Sequence, residues 1–198
     1  MENIEIQGMS RGAFLVRGAL ATGAAYGAAS VTPWVTGALA QGGGGDVDVL
    51  NFALTLEYLE ADFYKQAQKL SLKGQYKSFA KDFGDQEQQH VEALMATIKK
   101  LGGKPAKMPA FAFGMKSEQD FAKLAVTLED TGVSAYNGAA PMIQSKDVLA
   151  AAGSIVQVEA RHAAALRFLG GMSPTRGAFD KTLSKAAVLK AVTPLIRA

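Results

Sequence analysis

From Asp46 onward apolar residues return every three or four positions, the spacing that lines one face of an α-helix. Leu50, Leu54, Ala61 and Tyr64 share one stripe with Glu57 inside it, which predicts a first helix over about 46–72. Phe79, Phe83, Leu94 and Ile98 form the next stripe, over about 75–101, with Glu87 and His90 on the same face before Gly102-Gly103 closes the pattern. A loop with Pro105 and Pro109 leads to a third stripe, entered at Ser117-Glu118-Gln119-Asp120, which has capping-box spacing. It carries Phe121, Ala125, Leu128, Glu129 and Tyr136 and is perturbed or ended by Pro141. The fourth, over about 147–169, aligns Val148, Ala152, Ile155, Glu159, His162, Leu166 and Leu169 ahead of Gly170-Gly171. Four helices of about 22–28 residues line a bundle core from end to end, and the long second connection suits one crossover between two helical hairpins. Phe179, Leu183, Val188, Val192 and Leu195 predict a short extra helix, a strap on the bundle or an oligomer contact. The expected fold is all-α: an up-down four-helix bundle with one long crossover and a short C-terminal extension.

The polar residues inside these apolar stripes repeat. Glu57, Glu87 and His90 are followed 72 residues later by Glu129, Glu159 and His162, and Tyr64 is followed at the same offset by Tyr136. Ala53-Leu54-Thr55-Leu56-Glu57 matches Ala125-Val126-Thr127-Leu128-Glu129, so the two hairpins read as copies. The offset also decides between two glutamates of the first helix, because Glu60 has Gly132 as its counterpart whereas Glu57 has Glu129. Positions i and i+3 share a helical face, so each Glu-x-x-His aims a carboxylate and an imidazole at one spot. Four carboxylates and two imidazoles are the donor set of a dinuclear metal site in a four-helix bundle. Buried carboxylates repel one another and lose their hydration, and two divalent ions with two neutral imidazoles bring the sum of charges to zero. Oxygen-rich mixed ligation suits iron or manganese, with zinc able to occupy the site adventitiously. Tyr64 and Tyr136 are either core residues whose hydroxyls bond something nearby or residues that support the metal ligands or bear a radical.

Composition narrows the chemistry. The chain has no cysteine, which removes disulfides, thiolate zinc sites, Cys-ligated iron–sulfur clusters and cysteine nucleophiles. Its 21 basic and 18 acidic residues give a net charge of +3, but Lys65, Lys69, Lys73, Lys77 and Lys81 are spaced as a solvated helical face and not as a nucleic-acid groove.

Residues 1–40 differ in kind from the rest. Ser10-Arg11-Gly12-Ala13-Phe14-Leu15 opens a weakly apolar Gly/Ala-rich stretch that ends at Ala38-Leu39-Ala40, a small-x-small cleavage pattern. The start is similar to a twin-arginine export signal, with Gly12 where the second arginine belongs. The twin-arginine route, the general secretory route and an uncleaved anchor therefore stay open. Residues 41–45 read as a Gly-rich linker and 46–198 as the bundle with its tail, exported to the periplasm, cell envelope or medium and not itself held in a membrane.

With those residues placed, the chain resembles the ferritin-like superfamily of di-iron and di-manganese carboxylate proteins. It is most similar to the exported bacterial branch of ferritin-like domain proteins, some of them called desiccation-related. Leu50 to Leu54 leading to Glu57-Tyr58-Leu59-Glu60, the two Glu-x-x-His units, Leu128-Glu129-Asp130-Thr131-Gly132, and Ala135-Tyr136-Asn137-Gly138-Ala139-Ala140-Pro141 carry the likeness, over about 46–196. The resemblance implies Glu87 and Glu159 as metal-bridging carboxylates, Glu57 and Glu129 as terminal ones, and His90 and His162 as nitrogen ligands. Oxygen-activating relatives carry aspartate directly before the glutamate of each Glu-x-x-His; here Gln86 and Val158 stand there, and no Cys-x-x-Cys electron-transfer module follows the bundle. The implied activity is reaction of the metal pair with dioxygen or peroxide, as a ferroxidase, peroxidase or catalase-like oxidoreductase in oxidative stress. The other readings are a metal-binding or storage protein, and a structural envelope protein with an idle metal site. A homo-oligomer, dimer or larger, is expected.

Overall fold

The computed structural model describes residues 45–197. The expected export segment over 1–40 and the linker up to Gly44 lie outside the described residues. Five α-helices follow in chain order: α1 (Asp46–Ala67), α2 (Gly74–Lys100), α3 (Glu118–Ala139), α4 (Lys146–Leu169) and α5 (Lys185–Val192). The first four run 22, 27, 22 and 24 residues, the lengths expected from their apolar stripes. Helix α1 packs chiefly on α2 and α3 on α4, while α1 meets α3 and α2 meets α4 across the bundle.

Local chemistry sets the helix ends. At α3 the capping-box expectation holds in a variant form: Ser117 Oγ accepts from the Asp120 amide at 3.2 Å, and the Asp120 carboxylate accepts from the Lys116 amide and the Ser117 hydroxyl. Ser145 caps α4 by accepting from the Val148 amide. Asp46, in the first turn of α1, accepts from the amides of Gln144 and Ser145 at 2.7 and 2.8 Å, which ties the start of α1 to the turn before α4. Pro141 ends α3 as expected and sits in a 3-10 turn, Ala140–Met142. Helix α1 stops at Ala67, five residues short of the expected end at 72, because Leu70 and Leu72 are used in a turn that swings Leu72 back into the core. Gly102, at φ +76°, closes α2 in the left-handed conformation that glycine adopts without strain.

The core is built in two apolar clusters with a polar layer between them. One holds Phe63, Tyr64, Phe83, Phe121, Leu128, Leu166 and Val188; the other holds Leu50, Leu54, Leu94, Ile98, Val148 and Ile155. On every one of α1 to α4 the site residues fall between these groups. Asn51 fixes the crossover to α1, donating to the Lys104 carbonyl and accepting from the Ala106 amide.

The C-terminal segment is a strap. Leu183 donates its amide to the Ser134 carbonyl, α5 buries Val188, Leu189 and Val192, and the last residues pair with the crossover through Ala112 N to Leu195 O and Arg197 N to Ala110 O. Phe179 does not join it, being 93% exposed, because it belongs to the extended stretch ahead of α5. None of the described helices is long and apolar enough to cross a membrane.

The strap approaches α3 at Gly138, where an added Cβ would lie 1.9 Å from the Leu183 carbonyl oxygen. Gly138→Ala is therefore expected to cost about 1–3 kcal/mol by forcing the strap off α3. Urea denaturation followed by circular dichroism measures this, and unchanged stability would mean that the strap contributes nothing to the bundle.

Candidate metal centre

Each of the four long helices sends its polar stripe residues to one place. Glu57, Glu87, Glu129 and Glu159 are 0% exposed and His162 is 2% exposed. His90 Nδ1 lies 3.2 Å from Glu57 Oε2, 2.9 Å from Glu87 Oε2 and 3.0 Å from Glu159 Oε1. His162 Nδ1 lies 2.9 Å from Glu87 Oε1 and 3.4 Å from Glu129 Oε2. All six residues singled out in the sequence thus converge. They divide into two groups of donors, Glu57, Glu87, His90 and Glu159 on one side and Glu87, Glu129, Glu159 and His162 on the other, with the donor atoms of each group within 4.8 Å of one another. Glu87 and Glu159 belong to both groups, and Glu87 turns one oxygen to each histidine.

The tyrosines of the repeat are crossed. The Tyr64 hydroxyl of α1 donates to Glu129 Oε1 of α3, and the Tyr136 hydroxyl of α3 donates to Glu57 Oε1 of α1. Each bond uses one oxygen of an outer glutamate and leaves the other, Glu57 Oε2 or Glu129 Oε2, without a hydrogen-bond partner. Burial and the adjoining carboxylates push both phenols well above their ordinary pKa, so they stay O–H donors. Of the two roles open to these tyrosines, the geometry gives the one in which the hydroxyl holds a site carboxylate.

Gln86 was named in the sequence only as a departure from an aspartate. The fold brings its Oε1 to 2.9 Å from His162 Nε2 on the opposite hairpin. With Nε2–H donating there, the His162 lone pair is left on Nδ1, which faces the carboxylates and has no hydrogen-bond partner. Phe83 stacks on the same imidazole, 4.0 Å between centroids. Val158, the counterpart of Gln86, offers His90 no polar atom, and this asymmetry was visible in the sequence although its contact was not.

The electrostatics test whether a pair of cations suits these residues. The groups approaching the four carboxylates are imidazoles and not lysine or arginine. Burial, and then the neighbouring carboxylates, push Glu159 well above the usual carboxylate range; burial also raises Glu87, against the hydrogen bond from His90. Burial works to lower His90, but the carboxylates of Glu159, Glu57 and Glu87 gathered around its Nδ1 win and its pKa is pushed up to about 12. The shifts at Glu87, Glu159 and His90 all run toward proton uptake. Five carboxylate oxygens of the four glutamates and His162 Nδ1 are buried with no hydrogen-bond partner, although several lie within 3.4 Å of an oppositely charged neighbour. Orphaned donor atoms converging from four helices, all nitrogen or carboxylate oxygen, could hold two divalent ions, Glu87 and Glu159 being shared. Glu60, set aside because its counterpart is a glycine, is also buried here, which the sequence reading missed.

The chain belongs to the ferritin-like domain family, whose profile matches residues 45–171. Two solved structures share the fold. One is a conserved hypothetical protein from Mycobacterium tuberculosis, with a TM-score of 0.57 at 20% identity over 63% of this chain and 96% of that one. The other, from Bacillus anthracis str. Ames, is described as a ferritin-like, diiron-carboxylate protein, with a TM-score of 0.55 at 22% identity over 63% of this chain and 94% of that one. No curated protein matches the chain.

Tyr64→Phe removes one hydroxyl and leaves Glu129 Oε1 buried without a donor. The metal-free protein is expected to lose about 1–3 kcal/mol of stability, and Tyr136→Phe to do the same through Glu57. Thermal or urea unfolding of the metal-free variants decides it; wild-type stability in both would mean that these hydroxyls do not hold the carboxylates.

Proposed function

We propose that the protein is a dinuclear iron or manganese carboxylate protein, exported from the cytoplasm, that reacts with dioxygen or peroxide. The observation that carries this reading is the pair of overlapping donor groups joined by Glu87 and Glu159. In it Glu87 and Glu159 bridge the ions, Glu57 and Glu129 are terminal ligands, and His90 and His162 supply the nitrogens. Likeness in fold to the diiron-carboxylate protein from Bacillus anthracis supports the class of centre. An iron or manganese pair held by these residues would supply the electrons for reducing the oxidant, passing from the divalent to the trivalent state, and each further turnover would need an external reductant, a second peroxide or fresh divalent ion. The chain's part is to place six donors, keep bulk water out with two apolar clusters, and hold Glu57 and Glu129 through the two tyrosine hydroxyls. Ferroxidase, peroxidase and catalase-like turnover are all compatible with that set.

Protein freed of metal and reloaded with Fe²⁺ or Mn²⁺ is expected to take up about two ions per chain. The double variant Glu87→Ala, Glu159→Ala is expected to take up none, because the two shared carboxylates are gone from both groups. Mass spectrometry of the loaded proteins counts the ions, and an oxygen electrode with and without added peroxide measures turnover. Unchanged stoichiometry in the double variant sinks the assignment, and a count far above two in a large particle would replace turnover with storage.

Export rests on Arg11 and Arg17 ahead of the Gly/Ala-rich stretch and on Ala38-Leu39-Ala40. Cleavage after Ala40 would leave Gln41 as the mature N-terminus. N-terminal sequencing of cell fractions is the check, and full-length chain confined to the cytosol would reject export.

A further inference from the structure

The 72-residue repeat fails at a buried carboxylate inside the centre. Glu60 lies one turn after Glu57 on α1, and its counterpart on α3 is Gly132. Glu60 is 3% exposed, and its Oε2 has no hydrogen-bond partner. A Cβ added to Gly132 would lie 3.0 Å from Glu60 Oε1, 3.5 Å from Glu60 Oε2 and 3.6 Å from Glu159 Oε2. The missing side chain therefore gives Glu60 its room, and that room adjoins one oxygen of a shared glutamate. Glu159 turns its other oxygen, Oε1, to His90 at 3.0 Å, and Glu159 also belongs to the donor group of Glu129 and His162.

Building on the dinuclear reading, we infer that Glu60 is a fifth carboxylate of the centre and serves the ion on the Glu129–His162 side. In the metal-free arrangement Glu60 stands just outside both four-residue groups. A change in its side-chain torsions carries it onto the ion, into space that Gly132 leaves free. A buried carboxylate without a partner is costly, and a residue serving packing alone at this point would be apolar. Gln86, which fixes His162, acts on the same side, so both departures from the repeat distinguish one ion from the other. Four carboxylates balance two divalent ions; a fifth balances one additional positive charge, which favours the more highly charged ion at this position.

The test is titration of the metal-free full chain with Mn²⁺, followed by calorimetry and native mass spectrometry. Wild type is expected to bind two ions. Glu60→Gln keeps the shape and removes the charge: one ion should bind about tenfold or more weakly while the other is unchanged. The melting temperature of the metal-free Glu60→Gln protein should rise, since a buried carboxyl that must be kept protonated is replaced by an amide that never carries charge. Gly132→Ala, which crowds Glu60 without altering it, should reproduce the loss of one ion. In a His162→Ala background, where the ion served by Glu60 is already gone, Glu60→Gln should have no further effect. Two ions of unchanged affinity in Glu60→Gln overturn this inference and leave the dinuclear reading standing. Equal weakening of both ions overturns the assignment to one side, and a wild-type chain that binds no ion overturns both readings.

Discussion

Four glutamates fully shielded from water, approached by two imidazoles and two tyrosine hydroxyls, set the terms for the rest of this molecule. Buried carboxylates in such numbers repel one another, and each has lost its hydration. A fold that keeps them must neutralise them with protons or with metal, and must hold them against their tendency to reach water. The two apolar clusters above and below the polar layer do the holding. Burial and mutual repulsion raise Glu60, Glu87 and Glu159, and the surrounding carboxylates push His90 up to about 12, so each of these groups favours holding a proton when no cation is near. Cations in place of those protons free the same oxygens for coordination, which couples metal uptake to folding stability.

The two hairpins supply near-copies of a half-site, and the interactions that hold the copies together run between them. Tyr64 and Tyr136 each grip the glutamate of the other's helix, so neither hairpin orients its own outer ligand. Gln86 likewise reaches His162 from the partner hairpin. A half-site on one hairpin would have carboxylates free to rotate; the assembled bundle has each outer glutamate fixed by one oxygen with the other left over. Orientation of the donors is thus a property of the helix packing, which links the stability of the bundle to the geometry of its centre.

Symmetry is broken in a consistent direction. His162 has a polar partner in Gln86 and a stacked ring in Phe83, and Glu60 has room beside Glu159 that a side chain at position 132 would take. His90 has Val158 at the position matching Gln86, and its side chain is 12% exposed against 3% for His162. One half of the centre is enclosed and carries additional polar groups, while the other stands nearer the surface. Two chemically distinct positions are what a centre needs if one holds its ion firmly and the other exchanges ions or meets a small oxidant.

Much of this was legible in the chain itself, because the signals are local. Helix stripes repeat every three or four residues, Glu-x-x-His puts two donors on one face in any helix, and the 72-residue offset selects Glu57 over Glu60 as the match for Glu129. Those facts determine the four helices, their inward faces and the six converging residues without knowledge of how the helices pack. Which tyrosine holds which glutamate, and that Gln86 meets a histidine 76 residues away, depend on the pairing and axial register of helices that periodicity does not encode. The same holds for the early stop of α1, where turn packing of Leu72 overrides a continuing apolar pattern, and for the pairing of the C-terminal strap with the crossover. Glu60 is the sharpest case: along the chain it is an unmatched glutamate opposite a glycine, and only the packing of α1 against α3 turns that mismatch into a buried carboxylate with room to move.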